Sequence, residues 1–142
     1  MRALYLETSA VMRAYVHGDR EVHAALHAAR RDRRMFTSAL TAVEVRRAMA
    51  KLAHDGRVER EFAADLMQRV LRFLAGADEV PLSASILARA GGTFSQPLRT
   101  LDALHVATAA ELQAVSRVTE VVMASRDARV RANAADLGMQ LA

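Results

Sequence analysis

Arg2-Ala3-Leu4-Tyr5-Leu6-Glu7-Thr8-Ser9-Ala10-Val11-Met12 opens with a short apolar run, then one acid, then two hydroxyl residues, and its reading decides the fold. Residues 2–6 read as a buried strand. Thr8 and Ser9 can each cap the helix that follows through Val11, Met12 and Tyr15. A strand that turns at once into a helix is half of a crossover unit. If the same succession recurs along the chain, the strands run parallel and helices cover both faces of the sheet.

It does recur. After Gly18, residues 19–32 place Val22, Ala25, Leu26 and Ala29 at spacings of three and four, a second amphipathic helix. Residues 35–37 form a short strand, and Ser38 can cap a helix carrying Leu40, Val43, Met49 and Leu52 to a stop near Gly56. From Val58 to Leu74 another helix presents Phe62, Leu66, Val70, Phe73 and Leu74 on one face, so these two helices form a hairpin. Residues 79–82 suit a strand that Pro81 assigns to an edge or a terminus, followed by a short helix capped by Ser83 and ended by Gly91 and Gly92. Thr100 begins a strong helix with Leu101, Leu104, His105, Thr108 and Leu112 on one side. Residues 120–125 are an apolar strand, 126–137 a helix and 139–141 a last strand. The expectation is an α/β three-layer sandwich with about five short parallel strands, formed by residues 1–142 as a single domain.

Composition agrees with this reading. Of 142 residues, 52% are hydrophobic and only 4% aromatic, so the core must be built from Leu, Val, Met and Ala in closely packed helices. With no cysteine, disulfides and thiolate metal sites are excluded. No uncharged stretch approaches the length of a bilayer span, and Glu7 interrupts the one apolar start, so the expected location is the cytoplasm. The net charge is +4, and Lys51 is the only lysine among 20 basic residues. Arginine's planar fork suits phosphate oxygens, and a basic exterior suits a polyanionic partner.

Two acids stand where strands give way to helices, Glu7 and Asp127, which is where open parallel sheets bind their ligands. Asp102 lies in the first turn of a helix and Glu44 lies within another. Carboxylates gathered at one sheet edge raise each other's proton affinity unless a cation intervenes, and hard oxygen donors select Mg²⁺ or Mn²⁺. Such ions promote phosphodiester hydrolysis.

The run Leu4-Tyr5-Leu6-Glu7-Thr8-Ser9-Ala10-Val11 resembles the opening of PIN-domain proteins, in particular the VapC toxins, where the usual residue at position 7 is aspartate. Arg99-Thr100-Leu101-Asp102-Ala103-Leu104-His105-Val106-Ala107-Thr108-Ala109 is similar to their central motif. Glu44, in Thr41-Ala42-Val43-Glu44-Val45, falls where the family carries a helical glutamate. Val121-Val122-Met123-Ala124-Ser125-Arg126-Asp127 resembles its strand followed by Thr-x-Asp, with serine for threonine. The resemblance implies a PIN-like fold and a metal-dependent endoribonuclease, the toxin of a toxin–antitoxin pair. It implies further that Glu7, Glu44, Asp102 and Asp127 hold one or two Mg²⁺ or Mn²⁺ ions, with Thr8, Ser9 and Ser125 donating to a carboxylate, a water or a phosphate oxygen. RNA as substrate, a VapB-like antitoxin and a homodimer are the partners it implies. Glu7 departs from the pattern, and its extra methylene predicts a less tightly tuned site that favours Mn²⁺.

Plainer roles stand beside these. Glu44 alone reads as a solvated charge, Asp102 and Asp127 as acids complementing helix dipoles. His105 reads as a packed, hydrogen-bonded histidine, and His23 with His27 as part of a solvated face. Arg30, Arg31, Arg33 and Arg34 are candidates for RNA contact. Two other classes fit the same fold: a module that binds RNA or an antitoxin without turnover, and a phospho-acceptor domain. The latter needs a lysine near its aspartate, and Lys51 sits in a charged helix.

Overall fold

The computed structural model describes residues 1–142. Its strands are β1 (Arg2–Leu6), β2 (Arg34–Ser38), β3 (Asp78–Val80), β4 (Glu120–Ala124) and β5 (Gln140–Leu141). They form one sheet in the order β3-β2-β1-β4-β5, every neighbouring pair parallel. The strand that opens the chain lies at the centre, which is why Ala3, Leu4, Tyr5 and Leu6 have no exposure. β3, with Pro81 just beyond it, lies on an edge as expected.

The helices are α1 (Thr8–Tyr15), α2 (Arg20–Ala29), α3 (Thr41–His54), α4 (Arg60–Leu74), α5 (Ala84–Ala90), α6 (Thr100–Gln113) and α7 (Ala128–Asp136). Alternation along β1 sorts them into two layers. Leu4 and Leu6 point into a core shared with Val11, Leu26, Val45, Leu66 and Val70 from α1 to α4. Ala3 and Tyr5 point the other way, to Val106, Ala109, Val130 and Ala134 of α6 and α7. α5 packs on α6 through Ile86, Leu104 and Ala107. Helix α6 is buried almost all round, with Leu101 exposed at its start. Gly18 and Gly56 adopt positive φ, the former between α1 and α2, the latter just after α3.

Several local expectations are corrected. Thr8 and Ser9 are the first residues of α1, and Glu7 caps it, accepting from Ser9 N. Ser38 ends β2 and its Oγ accepts from Leu40 N, while α3 begins after Leu40 with no side-chain cap. Phe62 is 53% exposed; Ala63 takes the inward position in the first turn of α4. His23 and His27 stack on each other with ring centroids 4.2 Å apart, and the Tyr15 hydroxyl lies 2.9 Å from His27 Nε2, so this half-buried face is packed ring against ring while it stays partly solvated. The arginine cluster is largely engaged as well. Arg33 binds Glu120 at 2.7 Å, Arg34 pairs with Asp78, and Arg30 lies over Phe73. These contacts sit at the start of the strands, the opposite end of the sheet from Glu7 and Asp127, so the cluster stands away from the acids.

Candidate active site

Parallel pairing sets Leu6 opposite Ala124, so the residues that follow, Glu7 and Ser125, emerge side by side at the carboxyl edge of the sheet. Glu7 N donates to Ala124 O at 3.0 Å, continuing the ladder one step beyond the strands. The Glu7 side chain, only 4% exposed, accepts from Ser9 N at 3.1 Å, from Ser125 Oγ at 2.8 Å and from Ser9 Oγ. Ser9 Oγ in turn accepts from Arg126 N at 2.9 Å, and Ser125 Oγ from Asp127 N at 3.1 Å. Two strand-to-helix turns, 118 residues apart in sequence, are thereby tied into one network around a single carboxylate.

Asp127 caps α7. Its Oδ1 accepts from Arg129 N and Val130 N, both at 2.9 Å, and its other oxygen takes no part in the cap. Glu44, in the first turn of α3, accepts on Oε1 from Thr8 Oγ1 at 2.9 Å and from His105 Nε2 at 2.6 Å. Asp102 lies in the first turn of α6, where the helix dipole favours an anion. Burial nevertheless holds its proton affinity above the usual carboxyl range, and the charges of Asp127, Glu7 and Glu44 add to the effect while His105 opposes it. The four acids therefore act on one another through a shared field.

All four are hard oxygen donors, the chemistry that suits Mg²⁺ or Mn²⁺. No three Asp, Glu or His side chains converge as a ready-made coordination cluster. Glu7 and Asp127 are held by donors of their own turns, and Glu44 by Thr8 and His105. The donor set thus fits a cation, with three of the carboxylates held one by one by hydrogen-bond donors and Asp102 placed by its helix.

Sequence reasoning placed His105 correctly as a packed, hydrogen-bonded group and gave it no partner. It did not notice Tyr5, whose hydroxyl lies 2.9 Å from His105 Nδ1. The available signal was a phenol in the middle of a strand destined for the sheet centre, because a buried hydroxyl there must find a hydrogen-bond partner.

The loop leading into α6 is pinned by Asn133 of α7, which is 1% exposed. Its Oδ1 accepts from Ser95 Oγ at 2.9 Å and Gln96 N at 3.1 Å, and its Nδ2 donates to Gln96 O at 3.1 Å and Arg129 O at 2.8 Å. Asn133→Leu keeps the volume and leaves these groups unpaired, so it should lower unfolding free energy by about 2 kcal/mol. Chemical denaturation measures it, and an unchanged midpoint would contradict the pinning role.

A PIN domain family model matches residues 4–135. Ribonuclease VapC35 of Mycobacterium tuberculosis is 32% identical over 120 residues, covering 84% of this chain and 82% of that protein. Among solved structures, FitAcB from Neisseria gonorrhoeae superposes with a TM-score of 0.72 at 17% identity, over 97% of this chain and 95% of its counterpart. VapBC2 from Rickettsia felis, bound to a DNA fragment from its promoter, gives 0.68 at 12% identity over 99% and 97%.

Proposed function

The chain belongs to the PIN-domain family, and from that premise we propose that it is a divalent-metal-dependent endoribonuclease, the toxin of a toxin–antitoxin pair. The observation that carries the reading is the gathering of Glu7, Glu44, Asp102 and Asp127 at the carboxyl edge of the sheet, where their charges raise the proton affinity of Asp102. These four would hold Mg²⁺ or Mn²⁺, which supplies Lewis acidity for water and for the scissile phosphate. Ser9 and Ser125 hold Glu7 in place, the cap of α7 holds one oxygen of Asp127 and leaves the other free, and Thr8 with His105 holds Glu44. Arg99 and Arg126 flank the acids in sequence, are exposed and form no ion pair within the chain, which leaves them free for phosphodiester oxygens.

In this reading residues 1–142 form one PIN domain acting in the cytoplasm, and no helix is long and apolar enough to cross a membrane. A VapB-like antitoxin is the protein partner. Exposed Val43, Leu87 and Leu101, on α3, α5 and α6, supply apolar surface for a homodimer.

A second reading is a module that binds RNA or an antitoxin without turnover. Its support is Glu7: both oxygens already accept hydrogen bonds, as a purely structural cap would require. Purified protein incubated with a mixed RNA pool separates the two. Cleavage with Mn²⁺ or Mg²⁺ that EDTA abolishes and added metal restores is the expected result. Metal uptake without cleavage selects the binding module, and cleavage that persists in EDTA overturns the metal-dependent mechanism.

A further inference from the structure

His105 has no exposed surface and lies one turn beyond Asp102 on α6. Its ring bridges two other elements. Nδ1 is 2.9 Å from the Tyr5 hydroxyl on β1, and Nε2 is 2.6 Å from Glu44 Oε1 on α3. A carboxylate oxygen can only accept, so Nε2 carries the proton of this bond. In a neutral ring Nδ1 then accepts from the Tyr5 hydroxyl, which fixes both tautomer and ring orientation. Thr8 Oγ1 donates to the same Oε1 at 2.9 Å. Both donors engage one oxygen of Glu44 and leave Oε2 without a partner in the chain.

This arrangement matters because both hydrogen bonds that hold Glu44 come from side chains of other elements, Thr8 and His105. Glu7 and Asp127 are bound to the amides of their own turns, and Asp102 stands on the most buried helix. Glu44 sits on the outer layer with a long, rotamer-rich side chain, which would otherwise have to be ordered each time the site assembles. With no preformed cluster of ligands, a group that fixes one of them acts directly on cation affinity.

We propose that His105, oriented by Tyr5, is a positioning residue that locks one oxygen of Glu44 and so keeps the other available to the divalent cation. The proposal rests on the metal-dependent reading above. It ties the sheet centre, α6 and α3 into a relay of three side chains, and the cation itself contacts only the last.

Mn²⁺ binding followed by titration calorimetry, with no RNA present, tests it. His105→Leu should bind Mn²⁺ about 10- to 100-fold more weakly, the range expected for groups that support a ligand. His105→Gln, whose amide can donate to Glu44, should recover most of that loss. In a Glu44→Gln background, His105→Leu should add little, because the ligand it serves is already gone. Tyr5→Phe provides the same test with less disturbance of the core, and several-fold weaker binding is expected. Wild-type affinity in folded His105→Leu or in Tyr5→Phe overturns the proposal, and so do losses that add in full in the double variant. If the unmodified protein takes up no Mn²⁺, the metal-dependent reading falls and this inference falls with it. Binding by the unmodified protein that is indifferent to His105 and Tyr5 removes the inference alone.

Discussion

Asp102→Asn should abolish RNA cleavage while leaving the protein folded and, without metal, more stable at neutral pH. The amide preserves the shape of the side chain and removes its charge. Groups that merely support a ligand cost about 10- to 100-fold when lost, so a direct ligand should cost at least about 100-fold. The stability gain follows from the raised proton affinity of Asp102, caused first by burial and then by Asp127 and Glu7. Between the ordinary carboxyl value of 3.8 and its higher folded value, the folded chain binds more protons at this site than the unfolded chain. Stability from this group is therefore fully present below 3.8, is lost as pH rises through the folded value, and stays lost above it. Asparagine removes that dependence. Denaturant midpoints in EDTA across acid to neutral pH, beside cleavage assays in Mn²⁺, measure both effects. Undiminished cleavage by the variant would remove Asp102 from the site.

Replacing Glu7 should damage fold and function together, unlike Asp102. Glu7→Ala deletes the cap of α1, a change worth about 1 kcal/mol, and strands Ser9 and Ser125 donors in a buried setting at about 1 to 3 kcal/mol more. A total near 3 kcal/mol should lower the melting temperature by roughly 10 °C in a chain of this size. Cleavage should disappear, since Ser9, Ser125 and the turns they tie together lose the charge at their centre. Glu7→Asp is the informative contrast. Its carboxylate is withdrawn by about 1.5 Å, one carbon–carbon bond. It can still reach the neighbouring amide of α1 but not Ser125 across the sheet edge, so a smaller thermal loss and an altered Mn²⁺-to-Mg²⁺ preference are expected. A Glu7→Asp protein identical to the parent in melting, metal affinity and cleavage would make the longer side chain an equivalent ligand.

The parallel α/β sandwich could be read from the chain because each element states its own period. Residues 2–6 are apolar, the helix faces repeat at three and four, and Pro81 marks an edge; these are local properties that burial on a sheet preserves. The positions of the acids relative to their elements were legible for the same reason, Glu7 and Asp127 at strand ends and Asp102 and Glu44 on helices. What the acids touch was not. Thr8 and Ser9 have the composition of caps, yet the register of β1 on β4 brings Ser125 to Glu7 and makes the acid the cap. Arg33 and Arg34 look free in sequence, yet strand starts set beside one another supply Glu120 and Asp78 to neutralise them. His105 meets Glu44 across 61 positions only because the fold brings the opening turns of α6 and α3 together beside Tyr5 and Thr8. Sequence alone marked the apolar face that each strand and helix turns to the core, with Phe62, Val43 and Leu101 as exceptions left exposed, since the hydrophobic effect is non-directional and counts apolar area. Only the tertiary structure decided which polar atoms share a hydrogen bond, since that depends on ångström-scale register between segments far apart in the chain.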